Sequence, residues 1–476
     1  MNSVSEIQQS TKRGILFPQF GLWHKKILLA LVDLSILVGC LFFFHRSISP
    51  ELGFYDFFQI HSLNLIIGIG VFWVLTIIFN LYDLDYVNKT RKVLPLAFFI
   101  GILFTLTYVF TTSLSPKIEI RNLSLLGFVM GFSFLLMIWR VFYASVIHSN
   151  VFVKNCILLT TDKDNKKLIE KIKRSLEGKG YEHGLKILRV YGVSEENKQI
   201  DRLSRAIERM NSKKLVDTII ILDQDQETIS KSLNTTLVKA LGNGVQVITY
   251  FKLYEEVKEA LPIQFAGNQF YSILPISRYN HNYLYLLWHK LVDILSSILG
   301  ISMMIFLTPI ILLMNLFFNK GPLFYKQRRV GKGGKEILIT KFRSMIVGAE
   351  KHGAKMSEKG DLRVTSFGRI LRKMRIDELP QCWSVLKGDM SFIGPRPERK
   401  VFIDQLIESI PLYDSRHLIK PGITGWAQVK FEYGDNVADS GKKLEYDLYY
   451  IKNRSVTLDI RIIFKTINTI VFYKGR

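Results

Sequence analysis

The sequence predicts a membrane protein in three parts: an α-helical four-span bundle, a cytosolic α/β domain of Rossmann-like type, and a C-terminal α+β domain entered through a fifth apolar segment. Three observations predict it. Long apolar blocks crowd the first third of the chain. Short apolar runs then alternate with helical patterns as far as about residue 274. A fifth apolar block follows, and after it a stretch rich in arginine, glycine and proline. The composition agrees, with 48% apolar residues and 22% charged in a chain of mean hydropathy +0.17. Apolar and charged blocks that alternate are the pattern of a membrane protein carrying water-facing domains. A chain of 476 residues has room for two or three domains.

The four blocks cover residues 27–44, 63–81, 93–110 and 123–147, each near the ~20 residues that cross a bilayer core. They assign residues 1–150 to the bundle. Asp33 lies inside the first block, where a carboxylate is costly in lipid. It therefore faces the bundle interior, for a structural or a functional contact. Lys12, Arg13, Lys25 and Lys26 precede the first span, and Lys89, Arg91 and Lys92 lie between the second and third. Positive residues mark the cytoplasmic side. Lys117 and Arg121 in the third loop are a mild exception. Both ends of the bundle are thus expected inside, with the chain in the cytoplasm after residue 148.

Residues 151–275 are expected to form the α/β domain. The runs at 156–160, 190–193, 218–222 and 245–249 read as buried strands, and a basic periodic stretch at 165–177 reads as a helix. Strand and helix in alternation imply a parallel sheet. The turn after the first strand, Thr160-Thr161-Asp162-Lys163-Asp164, has no GxGxxG. A bound dinucleotide is therefore not supported, and a structural or regulatory role is expected.

The fifth block, residues 291–318, contains Pro309, which interrupts a helical ladder. Cations flank it on both sides: Lys290 before, and Lys320, Lys326, Arg328 and Arg329 after. A proline-kinked span and a re-entrant helix with both ends cytosolic both satisfy these facts. Asp293 and Asn315 near its ends favour the re-entrant form, giving a membrane segment at 284–320.

Residues 321–476 carry the chemistry. The stretch at 328–335 is basic and glycine-rich, but its spacing is not that of a Walker A loop. It reads as the turn of a hairpin between residues 323–327 and 336–341. Lys341 and Arg343 alternate along that strand, on one face. Residues 369–376 interleave Ile370, Leu371, Met374 and Ile376 with Arg369, Arg372, Lys373 and Arg375, as an amphipathic basic segment does. Asp377-Glu378 follows. Such a pair is commonly a helix N-terminus, where acids meet the dipole. Its setting allows another role: one carboxylate can attack a phosphorus while its neighbour holds a metal or a proton. A carboxylate nucleophile facing a pyrophosphate needs cations around it. Lys341, Arg372, Arg375 and Arg396, the last in a rigid Gly394-Pro395-Arg396-Pro397 turn, are candidates. Lys420-Pro421-Gly422-Ile423-Thr424-Gly425-Trp426 reads as a turn-rich stretch with an exposed aromatic. Residues 445–450 read as an acidic, aromatic helix.

The formal charge of +23 calls for an anionic partner. Nucleic acid would explain the charge but not the spans. A polytopic transporter would need more membrane blocks and site residues inside them. A non-catalytic membrane scaffold or sensor would suit the bundle and the nucleotide-free domain, but not the charged constellation around Asp377. The three cysteines are scattered and the histidines show no zinc-ligand spacing, so neither a disulfide framework nor a zinc site is expected.

The stretches KFRSM, RIDELPQ, LKGDMSFIGPRP, KPGITGWAQV and EYDLYYIKN, in this order, resemble the bacterial sugar transferase domain of the monotopic phosphoglycosyl transferases. The whole chain is similar to the long-form members, such as undecaprenyl-phosphate glucose and galactose phosphotransferases. The resemblance implies a catalytic domain on the cytoplasmic face of the bacterial inner membrane. It implies transfer of a hexose-1-phosphate from a UDP-sugar, glucose or galactose first, to undecaprenyl phosphate. This would be the first membrane step of exopolysaccharide, capsule or O-antigen synthesis. Asp377 would be the nucleophile that holds the sugar-phosphate, and Glu378 its companion, the two being tied to Mg²⁺. Lys341, Arg372, Arg396 and Asp447 match substrate-binding positions, Pro309 matches the break of a re-entrant helix, and a homodimer is implied.

Overall fold

The computed structural model describes residues 22–51, 53–79, 81–82, 90–113, 122–147, 153–160, 166–177, 185–192, 204–210, 215–222, 231–263, 282–349, 361–431 and 436–471. Lys12, Arg13, Lys89, Lys117, Arg121 and most of the turn after the first strand (residues 161–164) lie outside them. The chain forms two compact units, Met1–Leu253 and Tyr254–Arg476.

The first unit opens with helices α1 (Leu22–Ile48), α2 (Phe54–Ile60), α3 (Ser62–Ile78), α4 (Thr90–Ser113) and α5 (Asn122–Ile147). Three of them, over Lys26–Ile48, Val93–Phe110 and Ser124–Ser145, are long and apolar enough to cross a membrane. The expected second block, 63–81, corresponds to α3; it passes as a span only together with α2, which it meets at 82°. Phe72, Phe104 and Phe132 bury their rings between the helices, with centroids 5.4–5.8 Å apart. Gly101 lets α4 approach α5 closely, since a Cβ there would strike Ser133. Asp33 is wholly buried and pairs with Arg140 of α5 at 2.5 Å. The pair joins the first and last helices of the bundle.

The same unit continues with β1 (Lys154–Thr160), α6 (Lys166–Glu177), β2 (Leu185–Gly192), β3 (Thr218–Ile221), α7 (Lys231–Gly242), β4 (Gln246–Thr249) and α8 (Tyr250–Lys258), the last of which runs on into the second unit. All pairings among these strands are parallel, in the order β2-β1-β3-β4. That is the other common doubly wound order, not the 3-2-1-4 order of a dinucleotide-binding sheet. Burial on both faces explains why β1 is a continuous apolar run.

The second unit is organised around α9 (Tyr283–Phe318), a helix of 36 residues. It is followed by a hairpin, β5 (Phe324–Val330) with β6 (Glu336–Phe342), then α10 (Ser366–Lys373), a 3-10 turn (Ile376–Gln381) and α11 (Cys382–Lys387). After β7 (Ser391–Ile393) come α12 (Lys400–Ser409), β8 (Gly422–Thr424), α13 (Trp426–Lys430), α14 (Val437–Asn453) and α15 (Val456–Val471). Pro309 sits inside one continuous helix rather than between two. It gives no N–H to the carbonyl four residues back, while the Thr308 hydroxyl donates to the Met304 carbonyl at 2.6 Å.

One face of α9 packs on the rest of the unit along its length. Asp293 near its start accepts bonds from Ser391 and Phe392. Gly300 lies against Cys382, leaving no room for a Cβ. Ile311 enters a core with Phe342, Phe367 and Leu371. Asn315 near the end meets Arg343 and the Gly321 carbonyl. The remaining faces expose Leu287, Leu299, Phe306 and Phe317.

Candidate active site

Strand alternation aims Lys341. Phe342 buries its ring against α9, so its neighbour Lys341 faces the opposite way, where Nζ reaches Glu378 Oε1 at 3.4 Å. Arg343 does not share that face. The strand ends at Phe342, and the guanidinium turns back to Asn315, Asn319 and the Pro322 carbonyl. It closes the C-terminus of α9, where unpaired carbonyls attract a cation.

The acidic pair is placed by a chain reversal. Arg375 adopts the left-handed conformation, with φ +55°, which costs a non-glycine residue roughly 1–2 kcal/mol. It ends α10 and starts a tight 3-10 turn, not the N-terminus of an α-helix. In a 3-10 turn residues three apart eclipse. Ile376 and Leu379 thus pack together towards the α9 core, and Asp377 and Glu378 are left on the other side. Both are buried, at 7% and 6% exposure.

The two carboxylates have different surroundings. Glu378 is gripped by Arg396 at 2.6 Å, Arg375 at 3.3 Å and Lys341 at 3.4 Å. Burial acts to raise it, but Arg396, Lys341 and Arg375 outweigh burial and hold it well below the usual carboxylate range. Asp377 makes no side-chain hydrogen bond among the described residues. Burial and the adjacent Glu378 push it up, against the pull of Lys341, Arg372 and Arg396. It is therefore an under-solvated, more basic carboxylate aimed into a cationic setting, which suits nucleophilic attack. Burial brings Lys341 down to about 8, with Glu378 opposing. Arg372 stands on α10, its Nε on the Ser344 hydroxyl at 2.8 Å.

Two sequence motifs meet backbone to backbone to hold Arg396. Gly394 N–H donates to the Thr424 carbonyl, and Gly422 N–H to the Pro395 carbonyl, both at 2.8 Å. Side chains at Gly394, Gly422 or Gly425 would collide with the facing strand, so the GPRP and KPGITG stretches are each other's packing surface. Two arginines brace the turn from behind. Arg416 donates to the Arg396 carbonyl at 2.9 Å, and Arg329 to the Pro397 carbonyl at 3.1 Å.

Asp447 is 3% exposed and pairs with Arg416 at 3.0 Å. It lies behind the turn and reaches the carboxylate pair only through Arg416. Burial pushes it up to about 6. Trp426, expected to be exposed, is 1% exposed. Its indole lies against Arg461 and Lys430, and its N–H donates to the Glu259 carbonyl. A turn-rich motif signalled solvent, but its glycines serve close packing. The braces Arg416 and Arg329 were missed as site residues, because no local pattern shows which carbonyl a distant arginine will reach.

A family model described as bacterial sugar transferase matches residues 284–473. The chain is 45% identical over 207 residues to the UDP-N-acetylgalactosamine-undecaprenyl-phosphate N-acetylgalactosaminephosphotransferase of Aeromonas hydrophila, across 43% of this chain and 47% of that protein. It is 45% identical over 152 residues to the UDP-glucose:undecaprenyl-phosphate glucose-1-phosphate transferase of Xanthomonas campestris pv. campestris, across 31% of each. It is 38% identical over 187 residues to the exopolysaccharide production protein PSS of Rhizobium leguminosarum bv. phaseoli, across 37% of this chain and 90% of that protein. The match spans less than half of the first two relatives and most of the third. The carboxylate pair, its cations and the braced arginine turn all fall inside the matched stretch, and the chain belongs to the bacterial sugar transferase family.

Proposed function

We propose that this protein transfers a hexose-1-phosphate from a UDP-sugar to undecaprenyl phosphate, releasing UMP, through a covalent intermediate on Asp377. One observation carries the reading: two adjacent buried carboxylates, one held by three cations and the other without a side-chain hydrogen bond among the described residues. Asp377 attacks the β-phosphorus as the bond to UMP breaks, and UMP leaves with the electron pair. The sugar-phosphate is then an acyl phosphate on Asp377. An oxygen of undecaprenyl phosphate attacks the same phosphorus, the bond to Asp377 breaks, and the carboxylate is regenerated. Arg396, Arg372 and Lys341 would bind the phosphates and stabilise charge in both transfers.

Mg²⁺ suits this donor set, because it takes one or two carboxylates together with substrate phosphates. No three His, Cys, Asp or Glu side chains cluster as a complete cage among the described residues. Asp377 and Glu378 are the residues that would hold the ion beside the pyrophosphate, where it supplies charge neutralisation.

A helix of 36 residues is about 54 Å long if straight, well beyond the ~30 Å bilayer core. A re-entrant course, entering and leaving on the cytoplasmic face of the inner membrane, requires this helix to bend in the membrane, for which Pro309 is the candidate position; polar contacts from near both its ends to the same unit support that course. UDP-sugars are made in the cytosol, which fits that side. Relatives' names support glucose and N-acetylgalactosamine as donors to test beside galactose. A dimer through the middle domain is part of the same proposal.

The test is UMP release from that panel, with undecaprenyl phosphate and Mg²⁺, together with retention on the protein of label from the donor's β-phosphate. Release with one donor, and label that disappears in Asp377→Asn, is the expected result. Turnover without retained label would point to direct transfer. Well-folded protein inactive with every donor would favour a non-catalytic scaffold.

A further inference from the structure

Asp293 is a carboxylate on the apolar helix α9, where a charge is costly unless it is held. Its Oδ1 accepts two bonds at 2.7 Å, from the Ser391 hydroxyl and from the Phe392 backbone N–H. One turn earlier, His289 Nε2 lies 2.9 Å from the same hydroxyl, and Nδ1 lies 3.0 Å from Asp459. Asp459 is wholly buried and also accepts from Tyr450 and Tyr285. The start of α9 is thus fixed to α14, α15 and β7 by one buried polar network.

β7 has only three residues, and β8 is its one partner strand among the described residues. Asp293 supplies a partner outside that ladder, on Phe392. The chain leaves β7 directly into Gly394-Pro395-Arg396, so the register of β7 sets where the guanidinium stands relative to Glu378. We propose that Asp293 is a positioning residue for the transfer: it holds β7 so that Arg396 reaches Glu378. The inference rests on the function proposed above. It assigns the membrane-facing helix a part in shaping the site, beyond anchoring.

Both bonds end on Oδ1, which asparagine retains. In the full-length protein, Asp293→Ala is expected to lower kcat for UMP release by about 10–100-fold with little change in KM, as ångström-scale misplacement of a catalytic group does. Asp293→Asn should stay within about threefold of wild type, because it loses only the charge assistance of its bonds. In an Arg396→Lys background Asp293→Ala should cost less than about twofold, since residues acting through one another are not additive. Ser391→Ala removes one of the two bonds and gives a milder version of the same pattern should the alanine variant at 293 not fold.

Additive losses, or an Asp293→Ala enzyme as fast as wild type, would overturn the inference. Hydrogen exchange over residues 391–397 reads the anchoring without turnover. It should be faster in Asp293→Ala and unchanged in Asp293→Asn, and equal rates in all three proteins would sink the idea whether or not any donor is used. Wild type that turns over no donor would count against the proposed function alone.

Discussion

Two buried charge clusters in this protein are built on opposite plans. In the bundle one acid meets one base: Asp33 and Arg140 lie 2.5 Å apart, both shut off from solvent. In the second unit two acids meet four bases, since Lys341, Arg372, Arg375 and Arg396 surround Asp377 and Glu378. The first cluster is neutral and closed. The second has more cations than carboxylates, and Asp377 makes no side-chain hydrogen bond among the described residues. On the function proposed above, balance goes with a structural pair and excess positive charge with a site that takes an anion.

The comparison can be broken most severely at Asp377. Asp377→Asn should reduce UMP release by about 10⁴-fold or more and leave the melting temperature within a few degrees of wild type, because no hydrogen bond is lost. A large fall in stability would instead make Asp377 structural, like Asp33. Asp33→Leu should do the reverse. It strands Arg140 in an apolar interior, at a cost of about 3–5 kcal/mol read by thermal unfolding in detergent, while UMP release per folded molecule stays at the wild-type level. Replacing both partners, Asp33→Leu with Arg140→Met, should recover most of that loss.

Arg396→Ala is the next largest expected effect. It removes the nearest cation from Glu378 and one proposed phosphate ligand, and kcat/KM should fall by about 10²–10³-fold. An effect confined to KM would mean that the arginine only binds ground-state substrate. Lys341 gives the smallest and sharpest test. Burial places it at about 8, so the ammonium is present below that pH and lost as pH rises through it. A falling limb in kcat/KM near pH 8 is expected, with about a tenfold loss per further pH unit. Lys341→Arg, which stays charged, should push the limb to higher pH. A limb that does not move would assign it to another group.

Much of this protein is written locally. Length and apolarity placed the membrane helices, because hydrocarbon demands a run of apolar residues whatever the neighbours are. Alternation with helical stretches placed the parallel strands, since sheets buried on both faces need continuous apolar runs. Glycine and cation spacing placed the β5–β6 hairpin, and Asp377-Glu378 stood out as an acidic pair next to a basic stretch. Other features belong to no single segment. The 82° bend before α3, the order β2-β1-β3-β4 and the continuity of α9 through Pro309 depend on what packs against each element. So does the division of labour inside the acidic pair, because a carboxylate's basicity is set by cations brought from four separate stretches of chain. The GPRP and KPGITG motifs were visible as turns, but only folding showed that each needs glycine because the other is there. Local sequence put two carboxylates and four cations on hand. Folding alone settled which carboxylate is gripped by cations and which makes no side-chain hydrogen bond among the described residues, because hydrogen bonds and charge pairs act through space at a few ångströms and not along the chain.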